Sequence, residues 1–171
     1  INKMWGTYEQ KFAQLRTLYL YMFTHPGKKL NFMGNELAHW REWEELKEND
    51  WFLLSYPAHD AFHRYFALLG ELYTSETTLY ENDYSWESFE WIDADNADKN
   101  LFSFIRKGEQ NDYVVILNFS PNHSAHEVFG VLQKGMYTWI PNTEWNRTGG
   151  TLDAPDQELH ALSVTRNTQH F

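Results

Sequence analysis

The hydrophobic pattern of this chain changes its period once, at about Thr78, and this change limits the fold to helices followed by strands. From 8 to 23, apolar side chains recur every three or four residues, as on one face of an amphipathic helix. A second helix is predicted to begin at Pro57, since proline suits the first turn. After Thr78, apolar and polar residues alternate as in half-buried strands. The sequence therefore predicts two parts, a mainly helical one over 1–80 and an all-β one over 86–171.

Clusters of Asn, Asp, Gly and Pro divide the second part into five predicted strands of an antiparallel fold. They cover 88–92, 101–106, 113–119, 127–132 and 135–140. One more short strand, 30–33, is predicted between the two helices, after the helix stop at His25-Pro26-Gly27. A single strand of this parallel type cannot form a sheet by itself. The first part is therefore interpreted as the last sector of a barrel.

Charge and composition exclude several classes of function. A formal net charge of -10 without a Lys/Arg cluster argues against nucleic acid or an anionic membrane as partner. The absence of cysteine excludes disulfides and thiolate chemistry, so a cytoplasmic setting is predicted and no cofactor is expected. No stretch approaches the roughly 20 apolar residues of a membrane span. Because the chain does not begin with Met, it is expected to be a piece of a longer protein.

Aromatic side chains make up 18% of the chain and include eight Trp. Pyranose rings stack on Trp and Tyr while their hydroxyls bond to carboxylates and amides, so this composition suits a carbohydrate ligand. A rigid aromatic core is the alternative, because Trp and Tyr are also ordinary packing residues.

Two segments carry the candidate site residues. Asn35 and Glu36 directly follow the predicted strand 30–33, and polar residues at that end of a barrel strand line the active site. Glu36 could instead be a buried carboxylate that orders neighbouring loops. Trp40, Arg41 and Trp43 begin a loop, up to about 51, that would cover the mouth of such a barrel and contact sugar. The alternative is a solvated lid with its Trp side chains packed underneath.

Metal sites are not favoured. His59 and His63 have the i, i+4 spacing of metal ligands, but zinc requires a third ligand and the protease motif requires Glu where Asp60 stands. Asp93, Asp95 and Asp98 resemble the start of a calcium loop, yet the sixth position lacks glycine, so a hairpin turn is predicted. Three glycosylation sequons, which begin at 118, 122 and 146, are interpreted as chance.

Several blocks of the sequence together resemble the glycogen-type 1,4-α-glucan branching enzymes of the α-amylase superfamily. The resemblance covers nearly the whole chain and weakens after about residue 135. The blocks are Lys3-Met4-Trp5-Gly6, Gln10-Lys11-Phe12-Ala13, His25-Pro26-Gly27-Lys28-Lys29-Leu30, Phe32-Met33-Gly34-Asn35-Glu36, Glu42-Trp43, Asp50-Trp51 and Phe89-Glu90-Trp91-Ile92-Asp93-Ala94-Asp95.

The resemblance implies helix 7, strand 8 and helix 8 of a catalytic (β/α)₈ barrel, followed by a C-terminal β-sandwich that lacks its final strand. It also implies an enzyme of glycogen biosynthesis that cleaves α-1,4 glucan, such as amylose or glycogen, and transfers the segment to a 6-hydroxyl. The family's catalytic carboxylates would precede Ile1, so no catalytic residue is assigned and the chain alone is expected to be inactive. Leu37-Ala38 departs from a Phe-Gly pair in the family pattern. The partners implied are the α-glucan and the rest of the barrel, and a stand-alone glucan-binding or regulatory module is the alternative.

Overall fold

Two long helices and two small antiparallel sheets form the described part of the protein. The computed structural model describes residues 1–122, 127–131 and 133–153, and the backbone of 159–161. The helices are α1 (Tyr8–Thr24) and α2 (Pro57–Ser75). The strands are β1 (Phe89–Asp93), β2 (Leu101–Arg106), β3 (Tyr113–Asn118), β4 (Gly135–Tyr137) and β5 (Leu159–Ala161). Both predicted helices and the antiparallel character of the second part are confirmed.

Local signals fix the ends of the helices. The Thr7 hydroxyl and the Gln10 side chain bond to each other's backbone N–H groups and so cap the start of α1. The helix ends before Pro26, which cannot continue the hydrogen-bond ladder. Pro57 occupies the first turn of α2, where its missing N–H is not needed. These features are local, so the sequence could predict them.

The strands β1, β2 and β3 form an antiparallel meander in that order, and β4 pairs with β5. The connection between β1 and β2 is the hairpin predicted for the Asp93 to Asp98 segment. In it, the Asp93 carboxylate accepts hydrogen bonds from the Asp95 N–H at 3.1 Å and from the Asn96 amide at 3.2 Å. This carboxylate therefore serves the turn.

Two predicted strands are wrong and two are too long, of which 113–119 ends one residue early, at Asn118. Residues 30–33 are not a strand, because in the described chain no neighbouring strand supplies partners for their backbone. Residues 127–131 are not a strand either, and Leu132 lies outside the described residues. The predicted strand 135–140 ends at Tyr137. Strand pairing depends on distant segments, which the local alternation of a sequence does not contain.

One apolar core joins the helices to the first sheet. Its buried members come from α1, α2, the loop between them and strands β2 and β3. They are Phe12, Leu15, Tyr19, Leu20, Phe23, Ala38, Phe62, Tyr65, Leu69, Phe104, Val115 and Leu117. Many of the aromatic side chains therefore pack in the core, as the alternative to a carbohydrate ligand requires.

A fully buried arginine ties three segments together beside this core. The guanidinium of Arg106, on β2, donates to the backbone oxygens of Thr24 at 2.9 Å and Thr78 at 3.2 Å. It also pairs with the buried carboxylate of Asp83 at 2.9 Å. The end of α1, the segment after α2 and the first sheet are thus held by one side chain.

Candidate functional site

The candidate site lies on the loop between α1 and α2, and its shape depends on two residues with left-handed backbone. Gly34 has φ +77°, and a Cβ at this position would lie 2.5 Å from Cε1 of the His39 ring. Only glycine therefore fits there. A short 3₁₀ turn, Asn35–Leu37, follows, and Ala38 then adopts φ 52° while almost fully buried. This turn presents Asn35 and Glu36 and buries Leu37.

Glu36 is held by a short hydrogen-bond chain. Its Oε2 accepts from the Asn31 amide at 2.7 Å, and Asn31 Oδ1 accepts from the Tyr19 hydroxyl at 3.4 Å. Burial raises the pKa of Tyr19 to about 12, and the negative charge of Glu36 adds to that rise, whereas a bond with Asn35 opposes it. Tyr19 therefore remains a hydroxyl donor at neutral pH. Glu36 is half-buried and Asn35 is exposed, so both remain within reach of a ligand.

The Trp40 side chain packs against other parts of the protein. Its ring lies parallel to that of Tyr8, with centroids 5.8 Å apart and planes at 19°, and the Lys11 ammonium lies 5.3 Å from its ring centre. Its indole N–H donates to Nε2 of His59 at 3.2 Å. This geometry favours the packed-lid alternative for Trp40.

The same contact fixes the tautomer of His59. Indole nitrogen can only donate, so Nε2 of His59 accepts and the ring proton resides on Nδ1. Nδ1 therefore donates to the Leu37 carbonyl oxygen at 2.7 Å. This almost fully buried imidazole thus links α2 to the loop through both of its ring nitrogens.

Arg41 stabilises the loop through hydrogen bonds to two other loop residues. Its Nε donates to Asp50 Oδ2 at 2.8 Å, and one terminal nitrogen donates to the Glu48 carbonyl oxygen at 2.6 Å. The Asp50 backbone N–H in turn donates to Nε2 of His39 at 3.1 Å. Arg41 therefore closes the loop from 41 to 50 and has fewer donors left for a sugar.

Trp43 faces outward. Its side chain is 56% exposed, and among the aromatic rings of the described residues it contacts only Phe32, edge to face, with centroids 5.4 Å apart and planes at 89°. Asn31, the neighbour of Phe32, donates to Glu36. Asn35 and Trp43 are thus exposed and Glu36 is half-buried, whereas Trp40 and Arg41 are engaged by other parts of the protein.

His39 is central to the loop, although it is not among the residues predicted from the sequence. Its ring lies under Gly34 and accepts from Asp50, while its buried Nδ1 has no partner among the described residues. Burial lowers the pKa of His39, although the charge of Asp50 opposes the shift. No local pattern marks this residue, because its partners come from 34 and 50.

The two histidines with metal-ligand spacing direct their Nδ1 atoms at backbone oxygens. His59 faces the Leu37 oxygen, and His63 faces the Glu36 oxygen at 3.3 Å. Within the described ranges, no three His, Asp or Glu side chains are grouped as a metal ion would require. No helix in the described part of the chain is long and apolar enough to cross a membrane.

Comparison with known proteins gives two consistent results. Residues 91–170 match the family described as the alpha amylase C-terminal all-beta domain. Over 171 residues, 99% of this chain, the sequence is 43% identical to the 1,4-alpha-glucan branching enzyme GlgB of Bacillus cytotoxicus, of which it covers 26%. Over nearly its whole length the chain is therefore similar to a branching enzyme. Enzymes of the same name from Oceanobacillus iheyensis and Thermosynechococcus vestitus are each 44% identical over 153 residues, 88% of this chain.

The chain spans about a quarter of the length of these branching enzymes, 24% and 20% for the latter two. The departure from the branching-enzyme pattern at Leu37-Ala38 now has a structural meaning. Ala38 stands in left-handed backbone, where the resemblance implies glycine, and left-handed backbone costs an alanine about 1 to 2 kcal/mol. Burial of the Ala38 methyl group in the core offsets part of that cost.

Proposed function

We propose that this chain is part of a 1,4-α-glucan branching enzyme. Such an enzyme cleaves an α-1,4 glucan and transfers the released segment to a 6-hydroxyl, which makes an α-1,6 branch. The observation that carries the proposal is 43% identity, along 99% of the chain, to a protein of that name. Since the chain covers about a quarter of that relative, the activity is proposed for the longer protein.

We further propose that α1, residues 30–33 and α2 are helix 7, strand 8 and helix 8 of a (β/α)₈ barrel, and that the all-β part completes a sandwich. Support comes from the segment 30–33, which in the described part of the chain is neither helical nor paired with a strand. Its apolar side chains face outward: Leu30 is 74% exposed, and Phe32 and Met33 are each at least 40% exposed. A barrel strand is buried on both faces by its neighbours, so these side chains are those that a missing barrel would cover.

In this proposal the chain supplies glucan contacts and not the reacting groups. A retaining mechanism requires two carboxyl groups about 5 to 5.5 Å apart, one as nucleophile and one as acid and base. Glu36 is engaged by Asn31 and Asp50 by Arg41, so these carboxylates serve the loop. Trp43 would stack on a sugar ring, Asn35 and Glu36 would bond to its hydroxyls, and Trp40 and Arg41 would hold the loop in place.

The test uses the longer protein that contains this chain. Incubation with amylose, followed by a debranching enzyme and chain-length analysis, should reveal new α-1,6 linkages, whereas residues 1–171 alone should produce none. A Trp43→Ala variant should bind amylose more weakly by about two- to tenfold, the loss expected for one stacked ring. Absence of α-1,6 linkages from the longer protein would refute the proposal. Linkages made by residues 1–171 alone would contradict the assignment of catalysis elsewhere, and tight amylose binding by them would favour the stand-alone module.

A further inference from the structure

We propose that His39 is an acid-sensitive latch, which holds the 39–50 loop closed while its imidazole is neutral and releases the loop when the ring takes up a second proton. The latch requires no ligand, so it is independent of the proposed function. It follows from the surroundings of one buried ring: a backbone donor at one nitrogen, no acceptor at the other nitrogen, and a glycine against its face. The loop carries Trp43, so its release would move a side chain that is otherwise held next to Phe32.

The neutral ring closes the loop through Nε2. The Asp50 backbone N–H donates to this nitrogen at 3.1 Å, across 11 residues. A ring nitrogen that accepts a hydrogen bond carries no proton, so the proton of the neutral imidazole resides on Nδ1. Nδ1 is buried and has no partner among the described residues. The bond at Nε2 therefore ties Asp50, and the 3₁₀ turn Trp51–Ser55 that follows it, to the start of the loop.

The closed loop does not accommodate a second proton on the ring. This proton would lie on Nε2 and turn an acceptor into a donor that faces the Asp50 N–H. His39 is only 7% exposed, so solvent does not supply an acceptor for either ring N–H. Gly34 packs so closely that a Cβ there would lie 2.5 Å from Cε1, which leaves the ring no room to move in that direction. A buried imidazolium without acceptors is costly, so protonation favours the open loop.

The charges around the ring do not remove this cost. Charged or titratable side chains on three elements interact with it, namely Glu36 on the 3₁₀ turn, Arg41 and Asp50 on the loop, and His59 on α2. Burial contributes most and lowers the pKa of His39, the two carboxylates raise it, and the two basic side chains lower it. Both carboxylates are already bound, Asp50 to Arg41 at 2.8 Å and Glu36 to an amide at 2.7 Å. A carboxylate that turned to the imidazolium would give up one of these bonds. The Ile1 amino group donates to the backbone oxygen of His39 at 3.0 Å and offers the ring no acceptor.

Acid therefore shifts the loop toward its open state. In the open loop the imidazole is solvated and takes up a proton near its ordinary pKa of about 6.5. In the closed loop the pKa of His39 is lower. The open state consequently binds more protons, and closure weakens as the pH falls below about 7.

Amide hydrogen exchange of the full-length protein, followed by mass spectrometry of peptides that span 44–52, measures this opening. Each rate is divided by the rate of the same peptide in its unstructured state at the same pH, which removes the intrinsic pH dependence of exchange. The protection of this segment should fall by about three- to tenfold between pH 7.5 and 5.5.

His39→Gln is the test variant, because a glutamine side-chain oxygen can accept from the Asp50 N–H but does not titrate. Its protection at 44–52 should stay constant over the same pH range. His63→Gln is the matched control, since His63 is half-buried and its Nδ1 faces the Glu36 oxygen. This control should show the same fall as the wild-type protein.

Two results from these peptides would overturn the inference: wild-type protection that does not change with pH, and an equal fall in His39→Gln. If that variant does not fold, exchange of the Cε1 hydrogen of His39 in the wild-type protein decides the question. Its midpoint should lie below the ordinary value of about 6.5, and a midpoint at or above that value would also overturn the inference. None of these measurements uses a glucan. A full-length protein that makes α-1,6 linkages without a latch therefore contradicts only this inference, and one that has the latch but makes no linkages contradicts only the proposed function.

Discussion

The indole N–H of Trp40 should contribute to stability through one buried acceptor, and the variant Trp40→Phe isolates it. Phenylalanine keeps an aromatic ring against Tyr8 but cannot donate to Nε2 of His59. His59 is only 1% exposed, so water cannot replace the lost donor, and its other nitrogen is already used by the Leu37 oxygen. A buried acceptor left without a partner costs about 1 to 3 kcal/mol.

For a chain of 171 residues, that cost lowers the melting temperature by about 2 to 12 °C. Thermal unfolding followed by far-ultraviolet circular dichroism measures it without relying on tryptophan fluorescence. Trp43→Phe is the matched control, because the outward-facing Trp43 makes no such hydrogen bond and its variant should stay within about 0.5 kcal/mol. Equal melting temperatures for the two variants would refute the role given to His59 and the loop.

Three further predictions follow from other parts of the structure. Arg106→Met leaves the Asp83 carboxylate buried without its guanidinium partner and should lower the free energy of unfolding in urea by about 3 to 5 kcal/mol. The control Arg64→Met, at an exposed pair with Asp60, should lower it by less than about 1 kcal/mol. Similar losses for the two variants would contradict the role described for Arg106. Burial lowers the pKa of Lys29 to about 8, so between pH 8 and 10.5 the unfolded state binds more protons and stability relative to Lys29→Met should rise with pH. Lys28→Met is the charge-matched control, and a flat or falling difference for Lys29 would reject the shift. In the full-length protein, Glu36→Gln should retain measurable branching activity, because an amide can partly replace a carboxylate that orders a loop; loss to background that azide or formate restores would make Glu36 catalytic instead.

The fold was predictable where its cause is local. The α1 and α2 boundaries come from the apolar stripe, the Thr7 cap and Pro57, and strand β2 was predicted with its observed bounds. The segment 30–33 has the local pattern of a strand, but a strand also requires a partner, and none pairs with it among the described residues. Pairing is a property of distant segments, and a single sequence read locally does not contain it.

The sequence predicted which residues form the candidate site better than it predicted what each residue does. Asn35, Glu36 and Trp43 are accessible, as a ligand contact requires. The inward orientation of Trp40 depends on His59, which lies 19 residues away on α2. Likewise, the partners that hold Arg41 and His39 come from the far end of the same loop. Whether an aromatic ring in a loop binds a sugar or packs inward is decided by such partners.

The core shared by α1, α2 and the first sheet limits which chain segments can be exchanged between related proteins. Phe104 and Leu117 of the sheet pack in one cluster with Phe23 and Tyr65 of the helices. A chimaera joined near residues 80 to 86 would set foreign strands against native helices and create voids or overlaps inside that cluster, each worth about 1 to 3 kcal/mol or more. The natural unit for transplanting the β part therefore begins upstream of α1.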